Sequence, residues 1–158
     1  MSDCIKVLNE LLVDTFNDIL EIEQRALQSG SFSDVSVTEI HTIQAIGMYT
    51  PRTMTAVACS LSITLGTLTA AINNLVKKGY VARKKSEADR RIVNIQLTKK
   101  GKLAYRVHQK FHADMVKATI EGLTEEEEGI LVKSLEKLNE FFKCKYNLKT
   151  NLKEISNE

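Results

Sequence analysis

The chain has no tryptophan, one proline (Pro51) and seven glycines in 158 residues. So few breakers and turn formers exclude a sandwich or barrel of many short strands and favour long helices. The three cysteines, Cys4, Cys59 and Cys144, are odd in number and far apart, with no Cys-x-x-Cys. That argues against a disulfide framework or a zinc knuckle. No apolar run opens the chain, because Asp3, Lys6 and Glu10 interrupt it. No signal peptide is expected, and a cytoplasmic location is the default. Enzyme signatures are missing as well: there is no Gly-x-Ser-x-Gly, P-loop, Gly-x-Gly-x-x-Gly or His-Glu-x-x-His. No enzyme, cofactor or metal is therefore expected.

What is present is unevenly distributed. Net charge is only +2. Between Val76 and Lys117, however, thirteen basic residues face three acids, whereas the first thirty residues hold six acids and two bases. A basic middle between acidic ends points to a polyanion in the middle and a different partner at the ends. Residues 53–76 carry no charge for 24 positions, about the length of a membrane span. Nine polar side chains lie among them, from Thr53 to Asn74, and hydrocarbon would not solvate these. The segment is read as two short helices with polar faces, and no membrane partner is expected.

Periodicity divides the chain further. Ile5, Leu8, Leu12, Phe16, Ile19 and Leu20 recur near a 3.6 spacing, so 5–27 reads as a helix. Ser36 with Glu39 forms a capping box for a second helix. Residues 50–52 read as a break before a helix over 53–60. After a turn at Leu61-Ser62-Ile63, Thr64 caps a helix ending at Gly79. Two short helices around such a turn are a helix-turn-helix, with Ala56, Val57, Leu61, Ile63, Leu68, Ile72 and Leu75 as its expected core and Cys59 on a buried face. Residues 80–84 and 91–97 alternate like strands around a charged tip, which makes a wing. Thr98 caps a helix to about residue 121. Thr124 with Glu127 opens a last helix to about Tyr146, where the Glu125–Glu128 run suits the positive end of the dipole. Leu131, Leu135, Leu138 and Phe142 form a seam on it. The expected fold is mainly α with a small β wing: a winged helix-turn-helix over 36–98, flanking helices over 1–30 and 99–146, and a polar tail over 147–158.

Thr64, Leu65, Gly66, Thr67, Thr69, Ala70, Asn73 and Asn74 are the candidates to face double-stranded DNA, with Lys84, Lys85, Asp89, Arg90 and Arg91 on the wing. Threonine and asparagine read base edges, and an asparagine can pair bidentately with adenine. Gly66 permits close backbone approach, and a helix N-terminus favours a phosphate.

Asn74-Leu75-Val76-Lys77-Lys78-Gly79-Tyr80-Val81-Ala82-Arg83, then Asp89-Arg90-Arg91, then Leu97-Thr98-Lys99-Lys100-Gly101, resemble the MarR family of winged-helix repressors over nearly the whole chain. The resemblance implies a homodimer joined by the terminal helices, with Ile5, Leu8, Leu12, Leu131, Leu135, Leu138 and Phe142 in the interface. It also implies that Arg91 enters the minor groove, held by Asp89. Unlike many members, this chain has no charged side chain between Thr64 and Val76.

A narrower group is similar at His41-Thr42-Ile43, Thr64-Leu65-Gly66-Thr67 and His108-Gln109-Lys110-Phe111-His112, namely the family's fatty-acid-synthesis repressors. That likeness implies long-chain acyl-acyl carrier protein as corepressor. Phe16, Leu20, Ile40, His41, Ile43, Ile46, Val107, His108 and Phe111 would then be pocket candidates, although the apolar ones equally suit ordinary core. Other sensing modes stay open: a small aromatic ligand, zinc or peroxide. His108 and His112 stand at i, i+4 with His41 as a third nitrogen, a zinc-like spacing that lacks a nearby carboxylate. Cys4 and Cys144 would meet at the terminal helices, where peroxide could act on them. A winged helix used only for protein interaction is the alternative outside the regulator class.

Overall fold

The computed structural model describes residues 3–85, 89 and 92–147. Its elements run α1 (Asp3–Ser29), α2 (Val37–Ile46), β1 (Arg52–Thr53), α3 (Met54–Leu61), α4 (Leu65–Lys77), β2 (Val81–Lys85), β3 (Val93–Leu97), α5 (Lys99–Ile120) and α6 (Glu125–Tyr146). The architecture is a winged helix-turn-helix framed by long helices, in line with the sequence reading.

Capping side chains set most boundaries. The Ser36 hydroxyl accepts from the Glu39 N–H at 3.2 Å, and the Glu39 carboxylate accepts from the Ser36 N–H at 3.0 Å. Thr124 repeats this capping box at α6, while the hydroxyls of Thr64 and Thr98 cap α4 and α5 by accepting from the Thr67 and Gly101 N–H groups. The axes of α3 and α4 turn through 109° at Ser62-Ile63-Thr64, within the range of a helix-turn-helix. Together these two helices cover the uncharged stretch. Among the described residues no single helix is long and apolar enough to cross a membrane. Gly79, at φ +81, reverses the chain from α4 into the wing, a conformation that suits glycine.

The antiparallel sheet has the order β1-β3-β2. Its first strand is a correction to the sequence reading, in which residues 50–52 were only a break. Arg52 pairs with Ile95 and Thr53 with Asn94. A two-residue strand has no periodicity of its own and is defined by its partner alone.

The core lies inside the winged helix. Ile40, Ile43, Ile46, Val57, Leu68, Ile72, Leu75, Tyr80 and Ile95 are fully buried or nearly so. Two expectations for α3 fail. Ala58 is buried where Ala56 was expected and Ala56 is exposed, and Cys59 is also exposed. In an eight-residue helix a phase error of one or two positions exchanges the inner and outer faces. Tyr80 closes the floor of the core. Its hydroxyl donates to Asp34 Oδ1 at 2.5 Å, and its ring meets Phe32 edge-on. Burial and this bond to Asp34 push the phenol well above its ordinary range.

The first turn of α5 packs against Tyr80 so closely that a side chain does not fit. A Cβ on Gly101 would stand 2.1 Å from the Tyr80 carbonyl oxygen and 3.3 Å from Leu97 Cβ. Gly101→Ala is expected to destabilise the fold by about 1–3 kcal/mol, seen as a lowered midpoint of thermal unfolding. An unchanged midpoint would show that α5 can slide away from the wing without loss.

Candidate nucleic-acid interface and buried polar cluster

Helix α4 buries Leu68, Ile72 and Leu75 and turns its other side outward. Gly66, Ala70, Asn73, Asn74 and Lys77 fall on that outer side and are exposed, with Thr67 and Thr69 on its flanks. Leu65, at the helix start, is also exposed. At the N-terminus the Thr64 hydroxyl accepts from the Thr67 N–H at 3.2 Å and lies 2.8 Å from the Thr67 hydroxyl. The face therefore offers hydroxyls, amides, bare backbone and the positive end of a helix dipole, a set suited to base edges and phosphate.

Gly66 has no packing reason to be glycine. A Cβ there would meet only Thr64 Oγ1, at 3.9 Å. A helical glycine costs about 0.5–1 kcal/mol relative to alanine, and packing does not offset that cost at Gly66.

On the wing, Lys84 and Lys85 are exposed at the far end of β2, and Arg83 of that strand donates to Asn73 Oδ1 of α4 at 2.6 Å. Asp89 is exposed, and its carbonyl accepts from the Ile92 N–H at 2.9 Å. Arg90 and Arg91 lie outside the described residues.

A second group of polar residues lies where α1, α2 and α5 meet. Glu23, 2% exposed, is the only residue that α1 buries. Its Oε1 lies 2.9 Å from His41 Nε2 and 3.5 Å from His112 Nε2, and it is hydrogen-bonded to His108 Nε2. Gln44 contacts Nδ1 of His108. Burial pushes the Glu23 carboxyl up, but the hydrogen bond from His108 and the charge of His41 outweigh it and hold it below the ordinary carboxylate range. Burial lowers the His108 pKa against the pull of Glu23. A neutral His108 with its proton on Nε2 satisfies both contacts: it donates to Glu23 and accepts from the Gln44 amide. Sequence spacing gave these histidines no carboxylate, because the one that meets them comes from α1, 85 positions before His108.

An apolar cavity of about 240 Å³ adjoins this cluster. Val107, His108 and Phe111 line it together with Leu27, Phe32, Ala104 and Glu23. The other pocket candidates lie elsewhere. Ile40, Ile43 and Ile46 sit in the winged-helix core, Phe16 and Leu20 are exposed on α1, and His41 stands beside Glu23.

The long helices carry apolar side chains that the single chain leaves uncovered. Ile5, Leu8 and Leu135 are each more than half exposed, and Leu12, Leu131, Leu138 and Phe142 are half-buried. Helix α6 buries no residue at all.

The profile of the MarR family matches residues 35–93. The whole fold is similar to Streptococcus pneumoniae FabT, solved in complex with DNA. The two are 43% identical, with a TM-score of 0.83 over 88% of this chain and 97% of that one. The chain belongs to the MarR family. It is thus a helix-turn-helix transcriptional regulator, and regulators of this family are not enzymes. Two Bacillus subtilis (strain 168) proteins match over shorter spans. The HTH-type transcriptional regulator YhjH is 26% identical over 92 residues, 58% of this chain and 53% of the relative. The HTH-type transcriptional repressor YetL is 30% identical over 81 residues, 51% of this chain and 48% of the relative. Against these two curated relatives the chain spans about half their length.

Gly66→Ala should raise the thermal midpoint, by an amount equivalent to about 0.5–1 kcal/mol, and weaken binding to cognate DNA. Wild-type affinity in the alanine variant would remove close backbone approach as the reason for this glycine.

Proposed function

We propose that this regulator is a repressor that binds a palindromic operator as a homodimer, controls fatty-acid-synthesis genes and takes long-chain acyl-acyl carrier protein as corepressor. The outward face of α4 carries the DNA part of this reading. It is exposed, rich in hydroxyls and amides, and contains a glycine that the fold does not require. Lys84, Lys85 and the arginines of the wing add electrostatic affinity. The apolar sides of α1 and α6 support the dimer, since a 22-residue helix that buries nothing in its own chain gains stability from a second copy. In a dimer the two α4 helices would enter successive major grooves about 34 Å apart.

The likeness to fatty-acid-synthesis repressors and the cavity beside α1 and α5 support the ligand. The cavity is lined mainly by apolar side chains and ends at Glu23 and His108. At about 240 Å³ it lies just under the ~300 Å³ at which small-molecule pockets begin, so a long chain would extend it between the helices. Lys99, Lys102, Arg106 and Lys110 recur on one side of α5 and suit an acidic carrier, with Lys110 also paired to Asp114 at 2.7 Å. A ligand that prefers one spacing of the DNA-binding lobes shifts the dimer towards that spacing.

Fluorescence anisotropy on palindromic DNA from a fatty-acid-synthesis promoter tests both parts. Tighter binding with long-chain acyl-acyl carrier protein is expected. Charge reversal at Lys99, Lys102 and Arg106 should abolish that gain and leave the fold intact. Binding that ignores the acylated carrier removes the lipid corepressor, and no binding at low salt removes the repressor. In light scattering, Leu135→Asp with Leu138→Asp should convert the dimer to monomer at micromolar concentration; a persistent dimer would place its interface elsewhere.

One observation favours a second reading, in which the sensed ligand is zinc. Glu23, His41 and His108 each offer a ligand atom, and these atoms lie within 4.8 Å of one another. His112 adds a further nitrogen 3.5 Å from Glu23 Oε1. Imidazoles with one carboxylate suit four-coordinate zinc, and Gln44 could orient His108 through its other ring nitrogen. Held there, the ion would act as a clamp between α1, α2 and α5. Elemental analysis and cobalt(II) absorption should give one ion per chain, lost in Glu23→Gln. Neither signal in the wild type would leave the cluster a hydrogen-bonded network.

A further inference from the structure

Asn73 on the outer face of α4 is not a bare amide waiting for a base. The Arg83 guanidinium donates to its Oδ1 at 2.6 Å. A guanidinium has only donors, so chemistry fixes which way the amide points: oxygen towards Arg83, NH₂ away from it. The wing geometry explains the contact. Val81 and Arg83 are two apart on β2 and share one side of the strand; Val81 is buried against the core, and Arg83, further out, reaches past it over the flank of α4. One turn before Asn73 on the same flank, the Thr69 hydroxyl donates to the Leu65 carbonyl at 2.7 Å and turns its lone pairs outward.

We propose that Arg83, which lies outside the recognition helix, is a specificity-determining residue: it holds Asn73 so that this position donates hydrogen bonds to the operator. The inference rests on the reading of α4 as the DNA-reading helix. An asparagine read bidentately by adenine needs its carbonyl to accept from N6 while its NH₂ donates to N7. The amide oxygen keeps a second lone pair, but the Arg83 contact turns it towards β2, so that the NH₂ and the remaining guanidinium protons form one row of donors. That row matches the N7 and O6 acceptors of guanine. In an α4 without charged side chains over residues 64–76, the wing thereby lends the helix the arginine that its own sequence lacks.

The test is selection of operators from a randomised half-site library by the full-length protein, followed by anisotropy on the selected site with each base at the position under Asn73. Wild type should prefer guanine there. Arg83→Met frees the carbonyl and should shift the preference towards adenine, changing the guanine-to-adenine affinity ratio on the order of tenfold. Arg83→Lys keeps the charge but loses the planar fork; it should show the same base shift with most of the salt dependence retained. Asn73→Ala should flatten the preference at this position, and adding Arg83→Met to it should then change no base preference. Equal weakening on all four bases with the wild-type preference intact would overturn the proposal and make Arg83 a phosphate contact. Adenine preference in the wild type would overturn it as well. If the wild type selects no sequence at all, the DNA-reading assignment of α4 fails with it, an outcome distinct from an unchanged base profile. Both Arg83 variants alter an exposed edge-strand side chain, and a wild-type thermal midpoint confirms that they fold.

Discussion

The first helix buries one side chain, and that side chain carries a charge. Removing a carboxylate from water costs several kcal/mol unless partners replace the lost hydration. Glu23 finds them in His41 of α2 and in His108 and His112 of α5. Its place in the fold therefore fixes where α1 crosses the other two helices. Apolar packing alone would define that crossing weakly, because the remaining apolar side chains of α1 face away from the chain or are only partly covered. The cavity adjoins that crossing, with Glu23 and His108 in its lining beside Leu27, Phe32 and Phe111.

Helix α4 divides its two sides between packing and access. Its inner side is packed to completion by Leu68, Ile72 and Leu75. Its outer side gives up the favourable contacts a helix can make with itself: Gly66 lacks a side chain, and no charge pairs run along it. Apart from Lys77 in its last turn, the positive charge sits on neighbouring elements, β2 and α5. In the proposed DNA reading, long-range attraction and short-range discrimination then fall to different residues.

Most of the fold could be read from local chemistry. Ser36 with Glu39, Thr64, Thr98, and Thr124 with Glu127 act over three residues, and each marks a helix start where the structure has one. Features that depend on distant partners were not legible. Strand β1 is two residues long and is a strand only because β3, some forty positions later, pairs with it. The inward turn of Ala58 in place of Ala56 follows from how α3 is seated rather than from its composition. The carboxylate at the centre of the histidines lies on another helix, so inspection of offsets around His108 and His112 could not find it. The outward face of α4 was legible because its uncharged, hydroxyl-rich run is local, whereas the hold of Arg83 on Asn73 depends on the wing folding back.

Thr53 belongs to two elements at once. It pairs with Asn94 as the end of β1, and its hydroxyl caps α3 by accepting from the Ala56 N–H at 3.1 Å. Arg52, beside it, donates to the carbonyls of Ala45 and Ala56 and so also fastens α2. The hinge that a flexible linker between wing and helix pair would supply is thus stitched shut. Two adjacent residues thereby connect α2, α3 and β3. Tied at three points, the joint between sheet and helix pair acts as a bracket and not as a pivot.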